Sequence, residues 1–144
     1  METLLSHTPL FLQLLVAMAL GMLVGVERTL AHKNAGLRTY GIVALGSCLF
    51  VVTALAVGAQ FDISGDAAMR VVAGIITGIG FLGAGAIILR EDTAVGLTTA
   101  AGLWVTAGIG IAVGFKLYGI AISATILTLL ALTVFWFVEQ RVRD

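Results

Sequence analysis

The side chains best suited to chemistry in this 144-residue sequence are arginines set beside small hydroxyls. Glu27 and Arg28 are neighbours at the end of one apolar run, Arg38 and Thr39 open the next, and Arg90 precedes Thr98 and Thr99 at the start of a later one. A guanidinium is a planar fork of donors that can hold a phosphate through two hydrogen bonds. Helix N-termini add free backbone N–H groups and a positive dipole end. If Arg28, Arg38 and Arg90 meet at one membrane face, near helices beginning at Thr39 and Thr98, they form a site for an anionic group such as a lipid phosphate. The plainer alternative is separate, solvated arginines that anchor the chain at a membrane surface. Glu27 bears on the choice, because an acid beside Arg28 is unnecessary for anchoring but would orient or neutralise the guanidinium.

Other chemistries find little material. His7, His32 and the single Cys48 supply no nucleophile with a base, and no paired carboxylates face a common cavity, so an enzyme is not expected. One cysteine makes neither an internal disulfide nor a cysteine-rich metal site, and no cofactor is expected. Gly78-Ile-Gly80-Phe-Leu-Gly83 spells the G-x-G-x-x-G dinucleotide fingerprint. That fingerprint needs a strand before it and a helix opening after it, whereas these glycines lie midway along an apolar run. Neither nucleotide nor nucleic-acid binding is expected.

The elements that must position these residues are set by composition. With 60% hydrophobic and 11% charged residues, the chain falls well short of the about 25–35% charge of a soluble surface. A hydrocarbon core of roughly 30 Å needs about 20 apolar residues per helix, and five runs qualify, near 9–26, 39–57, 70–89, 97–114 and 117–138. Long unbroken runs, rather than short alternating segments, predict helices and not a barrel. The fold class expected is an all-α membrane protein: one transmembrane domain over 1–144, a polytopic bundle of five helices with a glycine-rich central helix. The first run is no secretory signal, since METLLSH lacks Lys and Arg and no small-residue cleavage site follows.

Glycine spacing predicts how the runs pack. In the third, Gly74, Gly78 and Gly85 share one face and Gly80 and Gly83 the opposite one, so this run is expected at the centre of the bundle. The first aligns Gln13, Ala17, Gly21 and Arg28 with Gly25 beside them, and Gly21-x-x-x-Gly25 is a close-packing motif within the bundle or between two copies. The fourth gathers Thr98, Thr99, Gly102, Thr106 and Gly110 on one face, with Trp104 pointing away. That face suits either tight helix packing or the wall of a small polar cavity. The fifth ends in an aromatic belt at Phe135, Trp136 and Phe137. Small residues exceed what a five-helix core requires, so a homo-oligomer is expected, most simply a dimer through the first run. No ionisable residue falls in the central part of any run, which argues against an ion pathway. A regulatory membrane protein acting by contact with membrane partners or lipids is therefore expected, with a magnesium or other ion transporter or channel, through a carbonyl-lined filter, as the alternative.

Four motifs in order carry a resemblance: Gly-x-x-x-Gly-x-Glu-Arg at 21–28, Ala-Gly-Leu-Arg-Thr at 35–39, Gly-Ile-Gly-Phe-Leu-Gly-Ala-Gly-Ala-Ile-Ile at 78–88 and Gly-Leu-Thr-Thr-Ala-Ala-Gly-Leu-Trp at 96–104. Together they resemble the MgtC/SapB family of bacterial inner-membrane proteins, over nearly the whole chain. The resemblance implies a multi-pass protein tied to magnesium limitation, virulence and intracellular survival, with the rotary ATP synthase as a partner; membrane lipids are expected as partners from the arginines and helix ends themselves. Longer members continue into a soluble C-terminal domain and carry Asn where this sequence has Thr98. With Asp144 closely following the fifth run, the sequence resembles the short, SapB-like form.

Orientation follows from the basic residues. Arg28, Lys33, Arg38, Arg90, Arg141 and Arg143 fall on one side, and only Arg70 and Lys116 on the other. The positive-inside rule therefore places the first and third connections and the C-terminus in the cytoplasm, with the N-terminus outside. Reporter fusions at Ala59 and Lys116 should read the outer side, and fusions at Lys33, Asp92 and Asp144 the cytoplasm. Cytoplasmic signal at both Ala59 and Lys116 overturns this topology.

Overall fold

The computed structural model describes residues 2–61, 66–90 and 93–143, with side chains for 9–61, 66–89, 93–134 and 141. In chain order it contains α1 (Glu2–Leu30), α2 (Leu37–Phe61), α3 (Asp66–Ala86), β1 (Ile88–Arg90), β2 (Thr93–Val95), α4 (Leu97–Gly114) and α5 (Tyr118–Arg143). Backbone groups in hydrocarbon must be satisfied within their own segment, and this drives the apolar runs into helices. α1, α2, α3 and α4 are each long and apolar enough to cross a membrane. In α5 the described apolar part is Tyr118–Val134; the expected belt at Phe135, Trp136 and Phe137 lies outside the described side chains.

The central helix is α4, not the third run. It touches α1, α2, α3 and α5, and 56% of its span is buried against 17% for α3. Gly74, Gly78, Gly80 and Gly85 have nothing within 4 Å of where a Cβ would stand, and Gly83 makes only an ordinary contact with Ala100. Small residues permit a close approach without compelling one. Closeness occurs where two small rows face each other. Along α4, Gly102, Thr106, Gly110 and Gly114 form a row four residues apart, the spacing of a helix ridge. Against it α2 lays Tyr40, Ala44, Ser47 and Val51. A Cβ on Gly110 would overlap the Ala44 carbonyl, and one on Gly114 would stand 2.7 Å from Val51 Cβ. The expected small face of α4 is therefore a packing face, with Thr99, Gly102, Thr106 and Gly110 buried. The Thr106 hydroxyl donates to the Gly102 carbonyl at 2.8 Å. Trp104 points outward, as expected, and is 55% exposed, and Thr98 is exposed too.

α1 covers the other side of α2. The stripe read from its sequence is the one it buries: Gln13, Ala17, Gly21 and Arg28 are all inside, with Val24. Gly21 lies against the Tyr40 backbone and Ala44, and Gly25 against Leu37. These two glycines thus serve close packing within the chain, the first of the two roles their spacing allowed. At its other end α1 is tied to α4 by Gln13, whose Nε2 donates to the carbonyls of Val113 at 2.6 Å and Gly114 at 2.9 Å. Those carbonyls lie in the last turn of α4, and Val113 O also accepts from Lys116 N–H at 2.8 Å.

Two helices close without glycine. α1 ends with His32 at φ 55, with Lys33 N–H donating to Arg28 O and His32 N–H to Thr29 O. α4 ends likewise with Lys116 at φ 62. Both are Schellman closures, in which a left-handed residue lets two terminal carbonyls find donors.

The third connection holds an element absent from the sequence reading. α3 stops at Ala86 rather than continuing to Leu89, and a two-stranded antiparallel hairpin follows, pairing Ile88 with Val95, Leu89 with Ala94 and Arg90 with Thr93. β-Branched Ile88, Thr93 and Val95 suit strands. Gly96 follows at φ 99, where a Cβ would collide with the Ala86 carbonyl, so the chain re-enters α4 only through glycine.

Gly110→Ala should destabilise the bundle by about 1–3 kcal/mol, because backbone on both sides leaves the methyl no room, and Gly110→Leu should abolish accumulation. Gly78→Leu should accumulate like the parent. Expression and detergent unfolding of the three variants check this; equal losses at 78 and 110 would put α3 back at the centre.

Candidate functional site

The α1–α2 loop, the hairpin and the second half of α5 meet at one end of the bundle. There α1 delivers Arg28 into the interior. Because Gly25 lets the α1 backbone rest on Leu37, the end of α1 is drawn against the start of α2. The Arg28 side chain is left 4% exposed and that of Glu27 17%. Arg28 Nε donates to Glu27 Oε2, and Nη2 donates to Oε1 at 2.5 Å, a two-pronged pair. A solvated or snorkelling pair, the ordinary expectation at a membrane interface, is not what forms. Neighbours in a helix do not normally face each other; this pair meets because both side chains bend to one place under α2.

The joint between the helices is fixed by Thr29. Its hydroxyl donates to Gly25 O at 3.0 Å and accepts from Leu37 N–H at 3.0 Å, so one side chain closes α1 and caps α2. Gly36 fits against the same hydroxyl. The loop thus has a single course, and it carries Lys33 and Asn34 to the same mouth as Arg28.

Beside Arg28 a groove of about 1430 Å³ runs between α3, α4 and α5 below the hairpin. Arg28, Thr39, Thr98 and Thr99 line it, as do His32, Lys33 and Asn34 from the loop. Its remaining wall is mostly apolar, from residues such as Phe81, Leu82, Leu103 and Leu127. Of the seven residues expected to form a polar site, the structure therefore brings Glu27, Arg28, Thr39, Thr98 and Thr99 to one region. Arg38 is exposed and not on the groove wall, so three converging arginines are not what is built. The Arg90 side chain lies outside the described residues. Among the described residues, no group of three or more His, Cys, Asp or Glu is placed to hold a metal ion.

Tyr40 was not singled out by sequence, yet it is the largest fully buried side chain. Its ring lies over Gly102, and its hydroxyl donates to the Thr99 carbonyl at 3.2 Å. The one signal in the sequence was Gly102, whose missing side chain makes room for the ring.

Comparison with known proteins places this geometry. Residues 14–141 match the MgtC family. The chain belongs to the MgtC family. Its relatives include the protein MgtC of Salmonella typhimurium (strain LT2), 42% identical over 145 residues. YhiD of Escherichia coli (strain K12), which carries a provisional magnesium-transporter designation, is 42% identical over 125 residues, 85% of this chain. An uncharacterized protein of Haemophilus influenzae is 37% identical over 141 residues, 94% of this chain. This MgtC-family chain covers 60%, 58% and 59% of those relatives' lengths in turn, and all of it is covered by the Salmonella match. No solved structure matches it.

For this MgtC-family chain the buried pair makes a measurable claim. Removing one partner of a buried pair leaves the other charge uncompensated and costs about 3 kcal/mol or more. Glu27→Gln should therefore lower stability in detergent by about that amount, whereas Arg38→Gln, at an exposed position, should change it by less than about 0.5 kcal/mol. Equal effects would mean that Arg28 is solvated and the pair dispensable.

Proposed function

We propose that this MgtC-family chain is a regulatory membrane protein that works by contact with other components of the bilayer, and that the contact is made at the hairpin end. One observation carries the reading: the buried Glu27–Arg28 pair sits in the wall of a groove on the flank of the bundle. Charged groups inside membrane proteins mark function, and this one addresses the flank. Along the bundle itself, α2 is seated backbone to backbone on α4, and the Gln13 amide is engaged by α4 carbonyls. The basic residues assign the hairpin end to the cytoplasm. Catalysis has no part in this reading.

The partners it takes are lipids and other membrane proteins, the ATP synthase among them on the family resemblance. A second copy of the chain is also among them. The glycines of α3 that touch nothing offer it a close-packing surface beside that of the first helix. The YhiD designation favours a second reading, magnesium transport.

Flux separates the two. Protein reconstituted into liposomes loaded with a magnesium-sensitive dye should leak no faster than empty liposomes. Saturable magnesium entry, absent from empty liposomes, would establish transport instead.

A further inference from the structure

We propose that the flank groove holds a single anionic phospholipid, with its phosphate at Arg28 and one acyl chain laid along the wall formed by α3, α4 and α5. The proposal rests on reading this groove as the contact surface, and it names the ligand class.

Size comes first. At about 1430 Å³ the groove exceeds the roughly 300–1,000 Å³ of small-molecule pockets, and it is far too large for an ion. Its walls are also divided. Phe81, Leu82 and Leu127 are more than half exposed in the isolated chain and line its length, whereas Arg28, Lys33 and Thr98 stand at the hairpin end. A space that is oily along its length and cationic at one end has the division of a phospholipid. In a bilayer the oily part is open to acyl chains, because leaving apolar side chains without neighbours forfeits dispersion energy.

The charge at the mouth selects the head. Glu27 engages Nε and Nη2 of Arg28, and Arg28 itself lines the groove, so the guanidinium edge turned from Glu27 is the one placed to meet a ligand. Among the described residues that line the mouth the cations are Arg28 and Lys33, and Glu27 balances one of them. α4 begins there too, at Gly96, with no side-chain cap on its N-terminus. A guanidinium held in place from behind, a second cation and an open helix start suit a phosphate. The unbalanced charge favours a lipid with net negative charge over a zwitterionic one.

The test uses the whole protein in nanodiscs of phosphatidylglycerol mixed with phosphatidylcholine, with lipid retention read by native mass spectrometry after release. Phosphatidylglycerol should be retained about fivefold over phosphatidylcholine, and Lys33→Gln should remove most of that preference. Arg28→Ala is avoided as the sole probe because it strands Glu27. Ala101→Phe is used instead, since Ala101 is exposed on the groove wall. It should abolish retention of either lipid while leaving thermal unfolding unchanged. Glycerol phosphate, the head without the chains, should not displace the lipid. Equal retention of both lipids, no effect of Ala101→Phe, or full displacement by glycerol phosphate would each overturn the proposal. Retention is read without reference to flux or partner, so magnesium entry would topple the regulatory reading and leave the lipid standing, and loss of retention without flux would do the reverse.

Discussion

The contact on which the rest depends is the seating of α2 on the glycine row of α4. Lipid gives apolar helices no reason to associate, so helix pairing there relies on dispersion between closely approaching surfaces and on interhelical hydrogen bonds. Gly110 brings α4 against the Ala44 carbonyl of α2, while Gly102 receives the Tyr40 ring and Gly114 the Val51 side chain. Tyr40 is trapped where α1, α2 and α4 meet, with Gly21 against its backbone and Gly102 against its ring. Once α2 is seated, α1 has one place to lie, and Gln13 fixes its height against the end of α4.

That seating also explains the buried charge. Arg28 is four residues along the helix ridge from Val24 and three from Gly25, on the face that α1 must bury to cover α2. Its guanidinium cannot be left alone in such a place, because an isolated buried charge costs several kcal/mol. Glu27 is the neutralising partner, supplied by the next residue on the chain rather than by another helix. A pair supplied this way assembles with α1 itself and does not depend on how α3 or α5 dock.

Much of this was legible in the sequence, for a plain reason: lipid imposes length and hydropathy on a span, and small residues mark the faces that must close. The helical bundle, the inward stripe of α1 and the packing face of α4 were readable on those grounds. The choice of central helix was not. Both the third and the fourth runs are rich in glycine, and glycine records only what could approach, while the facing row on α2 that decides the matter is a property of two helices together. The hairpin was hidden because Ile87, Ile88 and Leu89 prolong an apolar run without a break, and a helix pattern cannot be told from a short strand over three residues. Arg28 was flagged by type, but its burial followed from Gly25 and Leu37 meeting. Lys33 reaches the groove only through the left-handed turn at His32, which no glycine announced.

The groove itself follows from an asymmetry in packing. α1, α2 and α4 interlock through glycines, whereas α3 meets α4 through the ordinary contact of Gly83 with Ala100 and then leaves its helical path at Ala86 for the hairpin. A helix whose glycines are mostly left unfilled, and which ends early, leaves space on one flank at one end. The residues bordering that space are exposed apolar ones along the helices and polar ones at the loop, as the bilayer outside is oily in its core and charged at its surface. On the proposed reading the bundle's rigid half serves to hold Arg28 and the start of α4 in fixed positions, and its looser half admits the ligand. A site on the flank is reached by lateral diffusion within the membrane, the route by which a lipid would arrive on the proposed reading.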